Sequence, residues 1–230
     1  RMKMRGFLAV ADGSAAPPAL IHVSYRPEGK KAPKARVALV GKSVTFDAGG
    51  LSIKLKTGMV GMKLDMSGGA AVLGAMQAIA RLKPNIAVDA YLPAAENMLD
   101  GKAYRPDDVI VMRNGKTVEI ISTDAEGRML LADTFDWILE TKPNYMIDLA
   151  TLTGGALYAL GPLYTALLGN DQALLDRLLK SAAATGEYMW QLPLDEDYMP
   201  ITKRGCADLN NTGGHPQTIT AALFLKEFVG

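Results

Sequence analysis

The chain carries the heptapeptide Ser122-Thr123-Asp124-Ala125-Glu126-Gly127-Arg128 directly before an apolar run at 129–139 that predicts a buried helix. In an extended backbone alternate side chains point the same way, so the heads of Asp124, Glu126 and Arg128 would converge on one spot. Ionic groups gathered on one face are costly unless a cation or a substrate compensates them. The alternative is a capping segment, with Asp124 as the N-cap and Glu126 in the first helical turn. Both interpretations stay open, and both place the heptapeptide where a strand gives way to a helix.

Predicted strands and helices alternate on both sides of this heptapeptide. Strands are predicted at 21–25, 36–40, 86–93, 145–152 and 165–169, and helices at 70–82, 129–139, 171–185 and 218–229. Segments 109–112 and 118–121 predict a hairpin around the turn Asn114-Gly115. Polar or irregular segments are predicted at 12–18, 94–107 and 193–216. This alternation predicts an α/β fold built on a mostly parallel sheet.

The composition is that of an ordinary globular domain. The chain has 230 residues, of which 49% are hydrophobic and 21% charged, and its net charge is +1. One core-forming domain is the expectation for this length. A near-neutral charge gives no reason to expect a nucleic-acid or anionic-membrane partner, and no apolar run is long enough to span a bilayer. The one cysteine, Cys206, fits a reducing compartment, so a cytoplasmic location is expected.

A second glycine-rich stretch, Gly41-Lys42-Ser43-Val44-Thr45-Phe46-Asp47-Ala48-Gly49-Gly50, lies after the predicted strand at 36–40. Its Gly-Lys-Ser triplet is not a phosphate-binding loop. That motif needs a glycine five residues earlier, where this chain has Arg36, and it needs a helix where Val-Thr-Phe favours a strand. The Gly49-Gly50 pair indicates instead a tight turn or a close approach of the backbone.

Ionic residues stand beside glycines at several predicted strand ends. The set consists of Lys42, Asp47, Lys54, Asp65, Asp124, Glu126 and Arg128. Four carboxylates meeting in a partly buried site would repel one another, and divalent cations relieve that repulsion. With only His22 and His215 available, the ligands must be mainly carboxylate oxygens, which suit Mg²⁺ and Mn²⁺ and are tolerated by Zn²⁺. Four carboxylates suffice for two ions about 3.5–4 Å apart that share bridging ligands.

Both glycine-rich stretches, read together, resemble the catalytic domain of the leucyl aminopeptidase (cytosol aminopeptidase) family. The resemblance includes Lys54 and Asp65, the segment Ala150-Thr151-Leu152-Thr153-Gly154 and the tail from Ala207-Asp208-Leu209 to Lys226, so it covers nearly the whole chain. It implies a three-layer α/β/α domain of the zinc-exopeptidase kind over residues 1–230. It further implies that the family's N-terminal domain and C-terminal end lie outside this chain.

The resemblance also implies a ligand set for two divalent ions per chain, Zn²⁺ or Mn²⁺, with Mg²⁺ and Co²⁺ as alternatives. One ion would be held by Lys42, Asp47, Asp65 and Glu126. The other would be held by Asp47, Asp124 and Glu126, so that Asp47 and Glu126 bridge the two. The free α-amine of a peptide would occupy a metal position near Asp65, which would restrict cleavage to N-terminal residues.

The remaining implied roles concern catalysis and substrate binding. Lys54 would polarise the scissile carbonyl and stabilise its oxyanion. Arg128 would hold a bicarbonate that serves as a proton shuttle. Thr151 and Leu152 would offer main-chain contacts to the substrate, and Met62 would line the pocket for the first side chain.

The resemblance also implies partners, and two other functions compete with the peptidase interpretation. Peptides would be the substrates, and the family forms hexamers. Some relatives bind DNA as architectural proteins, which requires a basic stripe. The basic run Lys30-Lys31-Ala32-Pro33-Lys34-Ala35-Arg36 is short for that purpose. An inactive truncated domain is a further alternative, although every expected ionic residue is present.

Overall fold

The structure is a computed structural model that describes residues 2–29, 32–203 and 205–229. Its helices are α1 Arg5–Ala11, α2 Lys56–Met59, α3 Ser67–Leu82, α4 Glu126–Leu139, α5 Gly154–Leu160, α6 Gln172–Thr185, α7 Met199–Thr202 and α8 Gln217–Lys226. Its strands are β1 Ala19–Tyr25, β2 Arg36–Gly41, β3 Ser43–Asp47, β4 Ala87–Asn97, β5 Val109–Val111, β6 Thr117–Glu119, β7 Tyr145–Leu149, β8 Thr165–Leu167, β9 Met189–Gln191 and β10 Leu209–Asn210. Short 3₁₀ turns lie at Met62–Leu64 and Glu196–Tyr198.

The main sheet has the strand order β1-β4-β2-β7, and β3 also pairs with β4. β2 runs parallel to both β4 and β7, β3 runs parallel to β4, and β1 is antiparallel at one edge. The predicted α/β class and the mostly parallel sheet are therefore confirmed.

Helices cover both faces of this sheet. The strands alternate, so Val37 and Leu39 of β2 face one apolar cluster, together with Val72 and Met76 of α3. Residues Ala38 and Val40 face the other cluster, which draws its side chains mainly from α1, α4 and α8. These two clusters on opposite faces make the domain three layers thick, as the family resemblance implied.

Strands β2 and β3 pair with successive parts of β4, and the single residue Lys42 separates the two strands. Gly41 ends the pairing of β2 with β7, and Ser43 begins the pairing of β3 with β4 opposite Ala94. A register shift between Val44 and Phe46 then brings Asp47 opposite Asn97. Because a bulge re-aims the side chains that follow it, this irregularity decides where Asp47 points.

Several sequence predictions need correction. Residues 94–97 belong to β4, although the whole of 94–107 was predicted as loop. The predicted strand at 145–152 ends at Leu149, and the helix predicted from residue 129 begins earlier, at Glu126.

Other predictions agree with the structure. Strands β5 and β6 form the predicted hairpin, and Gly115 in its turn has φ +92°. The strand predicted at 165–169 is β8, which pairs with β9. Part of the basic run at 30–36 falls outside the described residues, because Lys30 and Lys31 are not among them. Within the ranges that the structure describes, no helix is long and apolar enough to cross a bilayer.

Candidate metal centre

Lys42 lies at the break between β2 and β3, and its backbone is bonded to neighbouring elements rather than to β4. Its N–H donates to the carbonyl of Leu149 at 3.0 Å, and its own carbonyl accepts from the N–H of Gly69 at 2.8 Å. The approach of α3 depends on a small residue, because a Cβ on Gly69 would lie 2.1 Å from Ser43 Oγ. The Lys42 side chain is thereby directed inward, and it is only 3% exposed.

The ammonium of Lys42 lies between two buried carboxylates. Its Nζ is 2.9 Å from Asp65 Oδ2 and 2.7 Å from Glu126 Oε1, and it donates to the carbonyl of Thr151 at 3.1 Å. Burial works to lower the pKa of Lys42, but the negative charges of Glu126 and Asp65 outweigh it, and the pKa is raised. In the structure, then, Lys42 is the counter-ion of this pair of acids.

Lys54 has the same relation to a second pair of acids. Its Nζ lies 2.8 Å from Asp47 Oδ2 and also contacts the carboxylate of Asp124. The segment that brings it there turns at Gly49, whose φ is +86°. Burial opposes the charge on Lys54, but hydrogen bonds to Asp124 and Asp47 raise its pKa well above the ordinary value.

Asp65 follows the 3₁₀ turn Met62–Leu64, and its carboxylate is divided between two partners. Oδ1 accepts a hydrogen bond of 2.7 Å from the hydroxyl of Thr151, while Oδ2 faces Lys42. Burial raises the pKa of Asp65 to about 7, against the opposing effect of Lys42. Thr151 therefore contacts the site twice, through its hydroxyl on Asp65 and through its carbonyl on Lys42.

The heptapeptide at 122–128 is a turn followed by a helix, so the expected extended backbone is wrong. Glu126 opens α4 and lies in its first turn, as the capping interpretation predicted. The N-cap is Ala125 instead of Asp124, and no side chain caps the helix. The acids nevertheless converge, because Asp124 lies in the turn and Glu126 enters the site from the helix end.

Thr123 anchors that turn. Its Oγ1 donates to the carbonyl of Gly49 at 2.6 Å and accepts from the N–H of Ser52 at 2.8 Å. Its N–H donates to Ser52 Oγ at 3.0 Å. The Tyr104 hydroxyl donates to the Thr123 carbonyl at 2.7 Å. The backbone just before Asp124 is held from several sides, although Asp124 itself is more open and its pKa is raised by burial to about 6.

Arg128 lies deeper than the other cations. It is 3% exposed, and burial lowers its pKa to about 10. Its Nε and Nη1 have no hydrogen-bond partner among the described residues, while its guanidinium carbon lies 6.0 Å from the Phe224 ring centre. A buried guanidinium with free donors suits an anion.

Leu152 and Met62, to which the resemblance gives roles in substrate binding, are less constrained. Leu152 packs over the start of α4, where a Cβ on Gly127 would lie 3.0 Å from its Cδ1. Met62 is half-buried in its 3₁₀ turn. The structure brings together every predicted ionic residue but gives Met62 no contact that tests its role.

The residues present fit divalent cations. Oxygen atoms of Asp47, Asp65 and Glu126 all lie within 4.8 Å of one another, which would allow them to hold a metal ion. Asp65 Oδ2 and Glu126 Oε1 are buried, and both face the ammonium of Lys42. Buried carboxylate oxygens gathered at one point are the hard donor set that divalent cations prefer.

The chain is similar to known proteins along its whole length. The family model described as "Cytosol aminopeptidase family, catalytic domain" matches residues 1–230. The chain belongs to the cytosol aminopeptidase family. It is 52% identical over 229 residues to a "Probable cytosol aminopeptidase" of Solibacter usitatus and 51% identical over 231 residues to one of Aquifex aeolicus. These alignments cover 99% and 100% of this chain but 48% and 46% of the relatives, so the chain spans about half their length.

Sequence reasoning singled out the ionic residues that the structure brings together, but it missed other residues of the site. Asn97, Ser52 and the side chain of Thr123 were not predicted to contribute to the site. Asn97 was assigned to a loop, so its register opposite Asp47 could not be seen. The one available signal was Thr123, which stands inside the family motif next to Asp124.

Proposed function

We propose that this chain is the catalytic part of a two-metal aminopeptidase that hydrolyses the N-terminal residue from peptides. The observation that carries the proposal is the buried group of Asp47, Asp65 and Glu126, of which the last two contact Lys42. Membership of the cytosol aminopeptidase family supports the reaction class, and the relatives' printed names agree with it.

The proposed ligand set divides the site in two. Lys42, Asp47, Asp65 and Glu126 would hold one ion, and Asp47, Asp124 and Glu126 the other, with Zn²⁺ or Mn²⁺ preferred over Mg²⁺ or Co²⁺. Such ions would supply a water whose lowered pKa makes it nucleophilic near neutral pH. Lys42 can act as a ligand only after losing its proton, so loading the site should release protons.

The chain's own cations would act on the substrate. Lys54 is positioned beside Asp47 and Asp124, where its positive charge would stabilise the negative charge that develops on the scissile carbonyl. The free donors of Arg128 would bind a bicarbonate that moves the proton to the leaving amine. Thr151 and Leu152 would orient the peptide through their main chain, and Met62 would line the first side-chain pocket.

Substrates and partners follow as parts of the same proposal. Peptides with leucine or another apolar N-terminal residue would be the substrates, and the α-amine would bind near Asp65. A homo-oligomer, hexameric as in the family, would work in the cytoplasm. A net charge of +1 supports neither a nucleic-acid nor a membrane partner.

The proposal is tested by measuring bound metal and hydrolysis of a chromogenic leucyl amide on the same preparation, with Mn²⁺ or Zn²⁺ added. About two ions per chain and chelator-sensitive hydrolysis are expected. Asp124→Asn should lose one bound ion and most of the activity. The control Glu187→Gln changes an exposed residue just after α6 and should keep the metal content and activity of the unmodified chain. Hydrolysis that persists in excess chelator, or in Asp124→Asn, would overturn the mechanism. Metal binding without hydrolysis would support a non-catalytic domain.

A further inference from the structure

A buried amide lies directly behind the metal centre, at the last residue of β4. Asn97 is fully buried, and its Nδ2 donates to Asp47 Oδ1 at 2.9 Å and to the carbonyl of Thr123 at 3.0 Å. An asparagine amide can be placed either way round when its neighbours are ambiguous. Here both neighbours are acceptors only, so the nitrogen must face them.

The bond to Asp47 decides which carboxylate oxygen is left for a cation. Oδ1 accepts from Asn97 and, at 2.9 Å, from the N–H of Gly49. Oδ2 is the oxygen that faces Lys54. Asp65 is held in the same way, since its Oδ1 accepts a hydrogen bond from Thr151 and its Oδ2 faces Lys42. Asp47 and Asp65 thus each present one oxygen to the site, and a protein donor fixes the other oxygen.

The same amide joins two segments that are distant in sequence. Asp47 ends β3, and Thr123 immediately precedes Asp124 in the turn before α4. The bulge between Val44 and Phe46 brings Asp47 opposite Asn97, and the main chains are also linked, since the N–H of Ala48 donates to the Asn97 carbonyl at 2.9 Å. Together with the hydrogen bonds of Thr123 to Gly49 and Ser52, this side chain therefore restrains the distance between the ligands carried by β3 and those carried by the turn.

An asparagine at position 97 is energetically unfavourable for the core. Its Oδ1 is buried and has no hydrogen-bond partner among the described residues, and an unpaired buried acceptor is unfavourable. An apolar residue of similar size would avoid that cost. Asp47 Oδ1 would keep the Gly49 N–H, and the Thr123 carbonyl would keep the Tyr104 hydroxyl. What an apolar residue could not do is restrain the carboxylate and the turn together.

We propose that Asn97 is a positioning residue for the metal centre, which holds Asp47 so that Oδ2 alone faces the ions and keeps Asp47 in register with the turn that carries Asp124 and Glu126. This inference rests on the proposed two-metal function and extends it to a residue behind the ligands. Partners of this kind contribute about 10- to 100-fold to metal affinity.

Titration of Mn²⁺ into the chelator-stripped full chain, followed by calorimetry, tests the proposal. Asn97→Leu should bind Mn²⁺ about 10- to 100-fold more weakly than the unmodified chain. Asn97→Ser, which adds no bulk to the core, provides the same test if the leucine variant does not fold. The matched control is Tyr104→Phe, which removes the other hydrogen bond to the Thr123 carbonyl without touching Asp47. It should lower the unfolding temperature in chelator while keeping the Mn²⁺ affinity within about twofold.

The outcomes separate a positioning role from a merely structural one. If folded Asn97 variants bind Mn²⁺ as tightly as the unmodified chain, or if Tyr104→Phe loses as much affinity, the proposal is overturned. Leucyl-amide hydrolysis is measured in parallel. Tight Mn²⁺ binding by the unmodified chain without hydrolysis would remove the peptidase proposal and leave this one standing. Failure of the unmodified chain to bind Mn²⁺ would overturn both.

Discussion

Replacing Lys42 by methionine removes one charge from the most buried part of the site while nearly keeping the length of the side chain. Lys42 is 3% exposed, and Asp65 and Glu126, which it contacts, are similarly buried. Methionine cannot compensate either carboxylate. The variant therefore leaves two acids facing each other in the interior, where an uncompensated charge is most costly.

The expected loss is large because the pair is buried. Breaking a buried ion pair by removing one partner costs about 3–5 kcal/mol, whereas an exposed pair contributes about 0–1 kcal/mol. In a chain of this length, each kcal/mol shifts the unfolding temperature by about 2–4 °C, so the expected decrease is about 6–20 °C. The matched control is Lys83→Met, which breaks an exposed pair with Glu28 and should change stability by less than about 1 kcal/mol.

The assay is chemical denaturation in excess chelator, so that metal binding does not contribute to stability. Adding Asp65→Asn to Lys42→Met should recover part of the loss, because it removes one of the uncompensated charges. A decrease below about 1 kcal/mol in Lys42→Met, or the absence of any recovery in the double variant, would refute the view that Lys42 balances these carboxylates.

Two further predictions concern packing and titration. Gly69→Ala should lower the free energy of unfolding by about 1–3 kcal/mol, because its Cβ would lie 2.1 Å from Ser43 Oγ. Gly74→Ala in the same helix places its Cβ where no neighbouring element among the described residues lies within 4 Å, so it should raise the free energy of unfolding by about 0.5–1 kcal/mol. Denaturant midpoints of both variants check this prediction, and equal midpoints would contradict it. Burial raises the pKa of Asp133 to about 6 despite hydrogen bonds from backbone N–H groups, so the folded state holds this proton more tightly than the unfolded state does. The unfolding free energy should therefore fall as pH rises from about 4 to about 7, by up to about 3 kcal/mol through this group, and the gap between the unmodified chain and Asp133→Asn should narrow over that range; a gap that is constant with pH would exclude the titration.

The order of strands and helices could be predicted because it depends on local patterns. Apolar runs of strand length alternate with helical segments, and these patterns identified the α/β class and most of the elements. The ends of elements were harder. Residues 94–97 continue β4, but Glu96 and Asn97 are polar, and a strand that carries functional side chains at its end lacks the apolar signal. The predicted loop began there because the sequence pattern changes before the backbone does.

The convergence of the ionic residues on one place could also be predicted, but the geometry that brings them there could not. Spacing in the heptapeptide suggested that an extended backbone brings the acids together, whereas the structure does so with a turn and the first turn of α4. Two different backbones satisfy the same pattern of alternating small and charged residues. The choice between them is made by Thr123, whose partners Gly49 and Ser52 are more than 70 residues away, at 74 and 71 positions. No local pattern records such contacts.

The lysines explain why these acids can share a folded site at all. Lys42 pairs with Asp65 and Glu126, and Lys54 pairs with Asp47 and Asp124, so the cations are distributed one to each pair of acids. A cluster of four carboxylates without them would favour the unfolded chain, in which the charges separate. The same ammonium groups must give way if ions bind between the carboxylates, since both compete for the same oxygens. The residues that let the protein fold without metal are therefore the ones that metal binding must move or deprotonate, and this is why substitution of Lys42 should impair stability and metal binding together.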